Sequence, residues 1–417
     1  MAYVIGVDCG TSGTKTVLFD EKGTVISSVT IEYPMYQPKN GYAEQDPADW
    51  ANAMINTIKA VMTKSGVNKE DVAGVGISGQ MHGLVMLDKD NNVLRKSIIW
   101  CDQRTAAEVE EMNEKLGREK LIKITANPAL TGWTAAKILW VKNNEPDIYE
   151  KCRHILLPKD YLRFILTGEY ATEVSDASGM QLLDVPNRCW SKEVCDTLGI
   201  DMSMLGKVYE SCEVTGKVTK KMAELTGLKE GTIVVGGAGD NAAAAIGTGV
   251  AEDGKAFTTI GTSGVVFAHT SSISIDPKGR VHTCCAAVPN AWHVMGVTQG
   301  AGLSLKWFRD NFCNAEKETA KCIRLCERCA AQLSPGRVQS AVSQGEKGGN
   351  GSGICGTAVA AGKAAGCLWR RDDPCIPGGR FAAGKPVYPA ESGSVYRCRT
   401  GTGIGRCRQS HKSARRI

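Results

Sequence analysis

VIGVDCGTSGTKTVLFD, residues 4–20, runs one short apolar strand into a small polar turn and leaves along a second strand. Gly10, Thr11, Ser12, Gly13 and Thr14 crowd between Asp8 and Lys15, more backbone donors than a hairpin of two to five residues needs. Such a turn can aim N–H groups at phosphate oxygens, with Lys15 adding charge and Asp8 placed to hold Mg2+. The bland alternative is a hairpin in which Asp8 satisfies the turn amides. A second turn of the same kind, Gly261, Thr262, Ser263 and Gly264 in GKAFTTIGTSGVVFAHT (254–270), tips the balance to phosphate, because phosphoryl transfer needs both ends of a polyphosphate held.

The surrounding pattern sets the fold class. Residues 3–9, 14–20 and 24–34 read as three consecutive strands on tight turns, an antiparallel meander. QDPADW then opens a helix, with Asp46 as N-cap, Pro47 at the first position and Trp50, Met54, Ile58 and Met62 along one face. A strand over 72–78 and helices over 104–116 and 134–143 follow. Meander, helix, strand, helix is the order of a ribonuclease-H-like α/β unit. Residues 254–270 and 291–312 repeat the opening logic, so one fold is expected twice, divided near residues 245–250.

Composition bounds what remains. At 417 residues the chain has room for two domains. It shows no basic, apolar leader at its start and no run of the ~18 apolar residues a membrane span needs, which leads to the expectation of a cytoplasmic protein. Residues 321–417 carry 17 Lys and Arg against 5 Asp and Glu; with a whole-chain charge of +6, the first 320 residues are net −6. The basic balance therefore belongs to the tail and does not suggest nucleic-acid binding by the whole chain. That tail holds 16 Gly, 12 Arg and eight of the 17 Cys, but only 14 Leu, Ile, Val and Phe, the composition of a poorly ordered segment. CIRLCERC (322–329) lacks the following His of a zinc finger. The cysteines before residue 320 have no paired spacing and read as reduced thiols.

Three further stretches carry candidate chemistry. In GISGQMHGLV (76–85), Gln80, Met81 and His82 stand between glycines that allow a ligand close. In IIWCDQR (98–104), the face of Trp100 beside the carboxylate of Asp102 suits a polyol, although Asp102 reads equally as a helix N-cap. In VVGGAGDNAAAAIG (234–247), a strand ends in four small residues and Asp240 opens an alanine helix, followed by Asn241. The small residues admit another molecule near the backbone, and Asp240 would face the cleft as a base or serve as the helix cap. ATEVSDASGMQLLDV (171–185) reads as a polar surface loop whose Thr172, Ser175, Asp176 and Ser178 could alternatively frame a sugar.

GVDCGTSGTK, AEQDPADW, GISGQMHG, IIWCDQR, LPKDYLRFILTGE, TEVSDASGMQLLDV, GGAGDNAAAAIGTG, TTIGTSGVV and QGAGLSLKWFRDNF occur in this order over residues 3 to about 314. Together they resemble the FGGY carbohydrate kinases, and SGQMHG resembles the xylulokinase branch. The resemblance implies an actin-like ATPase fold around a deep cleft and phosphorylation of D-xylulose to D-xylulose 5-phosphate by ATP with Mg2+. It implies Asp240 as proton acceptor and sugar contacts at Met81 and His82, with Gln80, Trp100, Asp102 and Asn241 beside them. ATP would lie on Asp8, Gly10, Thr11, Ser12 and Lys15 and on Gly261, Thr262 and Ser263, with Asp8 at the metal. The expected organisation is a sugar-binding domain at 1–247, the start of a nucleotide domain at 248–320 and an atypical tail at 321–417. Expected partners are the sugar and ATP, with no nucleic acid or membrane; a homodimer stays open. The family's adenosine-cradling GGGA turn has no counterpart after Phe312, and a change of reading frame near 320–322 would account for that. The alternative function is therefore a truncated, impaired relative that at most binds sugar.

Overall fold

A computed structural model describes residues 1–312 apart from Thr262 and Gln299, together with the two-residue strand Cys398–Arg399. Its first unit begins with β1 (Tyr3–Cys9), β2 (Gly13–Asp20) and β3 (Val25–Glu32), then α1 (Pro47–Ser65) and β4 (Val72–Gly79). There follow α2 (Ala106–Leu116), α3 (Thr134–Asn144), α4 (Pro158–Thr167), β5 (Ala171–Glu173) and α5 (Val174–Ala177). Strands β6 (Val214–Lys217), β7 (Ile233–Val235) and β8 (Ala238–Gly239) lead to α6 (Asp240–Thr248). Beyond it lie β9 (Lys255–Ile260), β10 (Gly264–Thr270), β11 (His282–Cys285), β12 (Trp292–Thr298) and α7 (Gly302–Phe312).

The main sheet has the order β6-β7-β4-β1-β2-β3, with β8 continuing along β4. The meander β1-β2-β3 is antiparallel, whereas β4 and β7 join β1 in parallel, as in the ribonuclease-H-like unit. Strand β1 is buried on both sides, which its unbroken apolar run already indicates. Helix α1 covers one face. Asp46 accepts the Ala48 N–H at 3.0 Å, Pro47 occupies the first helical position, and Gly66 closes the helix at φ 65°. Trp50, Met54 and Ile58 are fully buried against Ile5, Val7, Leu18 and Ile77, each such side chain contributing about 1.5–3 kcal/mol.

The second sheet has the order β11-β12-β10-β9, and Cys398–Arg399 pairs with the outer edge of β9. Helix α6 lies between the two sheets. Its Ala242 and Ala243 pack with Ala238 of the first, while Ala244 and Ala245 pack with Phe257, Val265, Phe267 and Met295 of the second. Methyl side chains let one helix serve both surfaces. The units are also tied by the Asn127 amide, which donates to the Thr283 carbonyl at 2.8 Å, and by Trp292, whose indole donates to the Val185 carbonyl at 3.1 Å.

Two expectations change. Helix α2 starts at Ala106 rather than at 104, because Arg104 is bound to Asp102. Residues 171–183 form no surface loop: strand β5, helix α5 and the turn after them are buried throughout. Thr172, Glu173 and Ser175 bond within this segment and to neighbouring groups, and Lys159 and Arg163 pair with the carboxylates, while the Asp176 oxygens and Gln181 Oε1 accept no hydrogen bond among the described residues, so polarity there marks an internal network.

The small residues at 236–239 also have a different reason from ligand access. A Cβ on Gly237, which sits at φ 76°, would lie 1.9 Å from the Ile77 carbonyl oxygen. On Gly236 it would lie 2.8 Å from the Glu210 carbonyl oxygen, and on Gly239 2.9 Å from the Met81 sulfur. The stretch is small because it passes between the Glu210 carbonyl, the Ile77 carbonyl of β4 and Met81. Gly237→Ala should therefore cost about 2–4 kcal/mol, from backbone strain at positive φ and steric overlap together. Urea unfolding measures it; an unchanged midpoint would contradict the packing described.

Candidate functional site

Parallel register brings the reactive groups to one level. Asp8 lies opposite Ser78 of β4, and Ser78 lies opposite Ala238 of β8, two residues before Asp240. Across the antiparallel pair, Asp8 faces Lys15. Ser78 donates its hydroxyl to Asp8 at 3.3 Å. Asp240 is the first residue of α6, with Gly239 as the N-cap, so it does not cap the helix; one carboxylate oxygen instead accepts the Asn241 backbone N–H at 2.7 Å and its side-chain amide at 2.9 Å.

The two carboxyls sit in an unfavourable field. Burial, and then the charge of Asp240, push Asp8 up to about 7, with Ser78 and Lys15 pulling it back. Burial raises Asp240 to about 6 against the hydrogen bonds from Asn241. A buried carboxyl short of positive charge is one that a divalent cation would ionise, so Asp8 fits the Mg2+ role. Among the described residues no cluster of three or more His, Cys, Asp or Glu could hold a metal, so further ligands would have to come from a phosphate or water.

The first glycine turn is fixed from both sides. Gly10 donates to the Gly13 carbonyl at 3.1 Å, and its own carbonyl accepts the Tyr33 hydroxyl at 2.6 Å. Gly13 is glycine because a Cβ would lie 2.7 Å from the Ile31 carbonyl oxygen. Ser12 is exposed and Thr11 partly so. Thr11 links this turn to the other candidates: its hydroxyl accepts the Trp100 indole N–H at 2.9 Å and donates to Gln80 at 3.4 Å. Gln45 completes the ring, donating to the Thr11 carbonyl at 2.7 Å and accepting from Gln80 at 2.8 Å and from Trp50 at 3.2 Å. In the second turn, Gly261 donates to the Ser263 carbonyl at 2.9 Å and accepts from Gly302, at the head of α7, at 2.8 Å. Thr262 lies outside the described residues. Helix α6, which Asp240 opens, packs against β10, which leaves that turn.

Met81 and His82 lie beside Gly239 and Gly179. His82 has φ 66°, its ring stacks on Trp133 at 4.6 Å, and Nδ1 lies 2.9 Å from the Gly179 carbonyl. Burial, then Lys137, hold the imidazole down at about 3, so it is neutral. With Nδ1 donating to a carbonyl, Nε2 is left as an acceptor. Lys137, itself brought down to about 7 by burial, donates to the His82 and Gly132 carbonyls, each at 2.7 Å. Asp102 is fully buried. Its oxygens accept the Ala43 N–H at 2.6 Å, the Arg104 N–H at 2.9 Å and the Arg104 guanidinium at 2.7–3.0 Å. The structure thus commits Asp102 to holding the Trp100 loop, and leaves Trp100 partly exposed beside it.

Beneath this surface, Lys159 meets Asp160 at 2.7 Å, Glu173 at 3.3 Å and Asp176 at 3.5 Å, and Arg163 meets Asp160 at 2.9 Å. All five are at most 1% exposed. Burial holds Asp176 well above the usual carboxylate range, opposed by Lys159 and reinforced by Asp160, Glu173 and Asp240. Sequence reasoning missed Gln45, Trp133, Lys137 and the Lys159–Arg163 pair. For the last a signal existed, since LPKDYLRF places charges on the apolar side of a helix.

The eight cysteines of residues 1–312 are free thiols. No helix there is long and apolar enough to cross a membrane.

Comparison with known proteins gives a consistent result. The profile described as "FGGY family of carbohydrate kinases, N-terminal domain" matches residues 3–247. A xylulose kinase of Bacillus subtilis is 43% identical over 312 residues, 75% of this chain and 62% of that protein. The xylulose kinase of Escherichia coli is 38% identical over 303 residues, 73% of this chain and 62% of that one. The chain therefore spans less than two thirds of the length of these relatives. Among solved structures, a xylulose kinase from Rhodospirillum rubrum superposes with a TM-score of 0.75 at 27% identity, covering 80% of this chain and 68% of that one. One from Brucella ovis, titled a "xyloylose kinase", gives 0.70 at 38% identity, covering 74% and 63%. With the ribonuclease-H-like sheet and the strand-end carboxyls, these matches establish that the chain belongs to the FGGY family of carbohydrate kinases.

Proposed function

We propose that the chain acts as an ATP-dependent sugar kinase that converts D-xylulose to D-xylulose 5-phosphate. The observation carrying this reading is Asp240: a partly exposed carboxylate at the head of α6, raised by burial to about 6 and close enough to Asp8 to disturb its ionisation. Relatives at 43% and 38% identity bear the name xylulose kinase, which supplies the substrate class.

In this reading the sugar lies on Met81 and His82, with Gln80, Trp100 and Asn241 around it. Neutral His82 accepts a sugar hydroxyl at Nε2. Asp240 orients the 5-hydroxyl and takes its proton as that oxygen bonds the γ-phosphorus and the bond from phosphorus to the bridging oxygen breaks to release ADP, a role worth about 10²–10⁴ in rate. Asp8, Gly10, Thr11, Ser12 and Lys15 face one end of the polyphosphate; Gly261, Thr262 and Ser263 face the other. Mg2+ at Asp8 would supply charge against the phosphoryl oxygens. The Thr11–Gln80–Trp100 contacts join phosphate side to sugar side, so filling one stiffens the other. We divide the chain at 1–247, 248–320 and 321–417, and place it in the cytoplasm, where ATP and reduced thiols coexist.

The alternative reading is a chain that binds xylulose without turning it over. Calorimetry with each ligand and an ADP-release assay separate the two. The kinase reading requires xylulose-dependent ADP release; sugar heat with neither nucleotide heat nor turnover favours the binding-only chain.

Two outcomes follow for the active protein. Asp240→Asn should lower kcat by about 10²–10⁴ and leave the xylulose Kd within threefold. Because the folded state raises this carboxyl, it resists ionising it: stability falls as pH rises from about 4 through about 6, so removing the charge should not lower Tm at pH 7.5. The profile of kcat/KM should drop on the acid side below about 6–7, where Asp240 and Asp8 take up protons as a coupled pair. An Asp240→Asn variant with full turnover, or a profile flat down to pH 5, would contradict the assignment.

A further inference from the structure

Helix α6 has no side-chain cap of its own, because its N-cap is Gly239. Gly239 is buried, so its N–H needs a partner. That partner comes from 64 residues away: the Ser175 hydroxyl accepts it at 3.1 Å. The same hydroxyl donates to Glu173 at 2.8 Å. Glu173 is held in turn by the Ser175 N–H at 2.7 Å, the Asp176 N–H at 2.9 Å, the Ser211 hydroxyl at 2.7 Å and Lys159 at 3.3 Å. The other end of the same small-residue stretch is fixed by the same network: Arg163 donates to the Gly236 carbonyl at 2.7 Å and pairs with Asp160, which pairs with Lys159. The four residues before Asp240 are thus held at both ends by one ionic network.

We propose that Ser175, fixed by Glu173 and Lys159, is a positioning residue that sets where Asp240 stands at the head of α6. The proposal rests on Asp240 being the proton acceptor; the clamp itself does not. Asp240 carries its carboxylate one residue beyond the clamped amide, so loss of the Ser175 acceptor frees the first turn of α6 while Met81, His82 and Trp100 keep their own supports. The effect therefore falls on the chemical step and not on sugar binding.

The test uses the full chain with Ser175→Ala, Ser175→Cys, which keeps the volume but weakens the acceptor, and Ser175→Thr, which keeps the hydroxyl. Amide exchange at Gly239, Asp240 and Asn241 should quicken at least tenfold in Ser175→Ala and Ser175→Cys, with exchange in α1 unchanged as the control for folding. Their kcat should fall ten- to a hundredfold with the xylulose KM within twofold, and Ser175→Thr should recover both readouts to within threefold. Unchanged exchange at Gly239 overturns the clamp. Quicker exchange with full kcat, or a raised KM with unchanged kcat, overturns the positioning role. Where the unsubstituted chain gives no xylulose-dependent turnover, the kinase reading fails separately, and exchange alone decides the clamp.

Discussion

Two carboxyl groups held next to one another at the ends of three strands are costly, and the rest of the site is arranged around that cost. Asp8 and Asp240 are brought together by the sheet, not by flexible loops: parallel pairing of β1 with β4 and of β8 with β4 fixes the level of both. Burial disfavours their charged forms, and the charge on one opposes the charge on the other. Ser78 and Lys15 relieve this only in part. What is missing is positive charge. In the proposed reading a cation-bound polyphosphate would bring it, and positioning and charge stabilisation would then supply most of the rate.

The second constraint is space. Asp240 stands at the head of a helix packed between two sheets through a run of four alanines. Ala242 and Ala243 meet the first sheet, Ala244 and Ala245 the second. The glycines before them let the chain pass between the Glu210 carbonyl, the Ile77 carbonyl of β4 and Met81, a Cβ at Gly237 being impossible there. The same helix therefore carries Asp240 and joins the two units. The buried Lys159, Arg163, Asp160, Glu173 and Asp176 network supports that junction from below, an expensive arrangement that holds one geometry.

Much of this was readable beforehand because it is local. The meander, Asp46 as a cap, the Trp50–Met54–Ile58 stripe and the strand ending at Val235 follow from periodicity and turn chemistry over a few residues. Asp240 stood out because a strand, four small residues and an alanine helix surround it. What was not readable depends on distant partners. Asp102 resembles a ligand group until Ala43, 59 residues away, and Arg104 are seen to occupy it. The glycines at 236, 237 and 239 invite a ligand until the Glu210 carbonyl, the Ile77 carbonyl and Met81 are seen filling the space. The stretch at 171–183 looked like surface because its polar residues gave no hint of the buried Lys159 and Arg163 that meet them. Trp133 carries no signal in the sequence, because its stacking on His82 crosses 51 residues and leaves no trace in spacing.

The most direct measurement is the titration of the two carboxyls by carbon-detected NMR on aspartate-labelled protein. The account requires Asp8 and Asp240 to take up protons near 7 and near 6, and the Asp8 midpoint to fall when Asp240 is replaced by asparagine. Midpoints near 4 for both groups, or an Asp8 midpoint indifferent to residue 240, would show that the two carboxyls do not share a site, and the account of the cleft would fall with them.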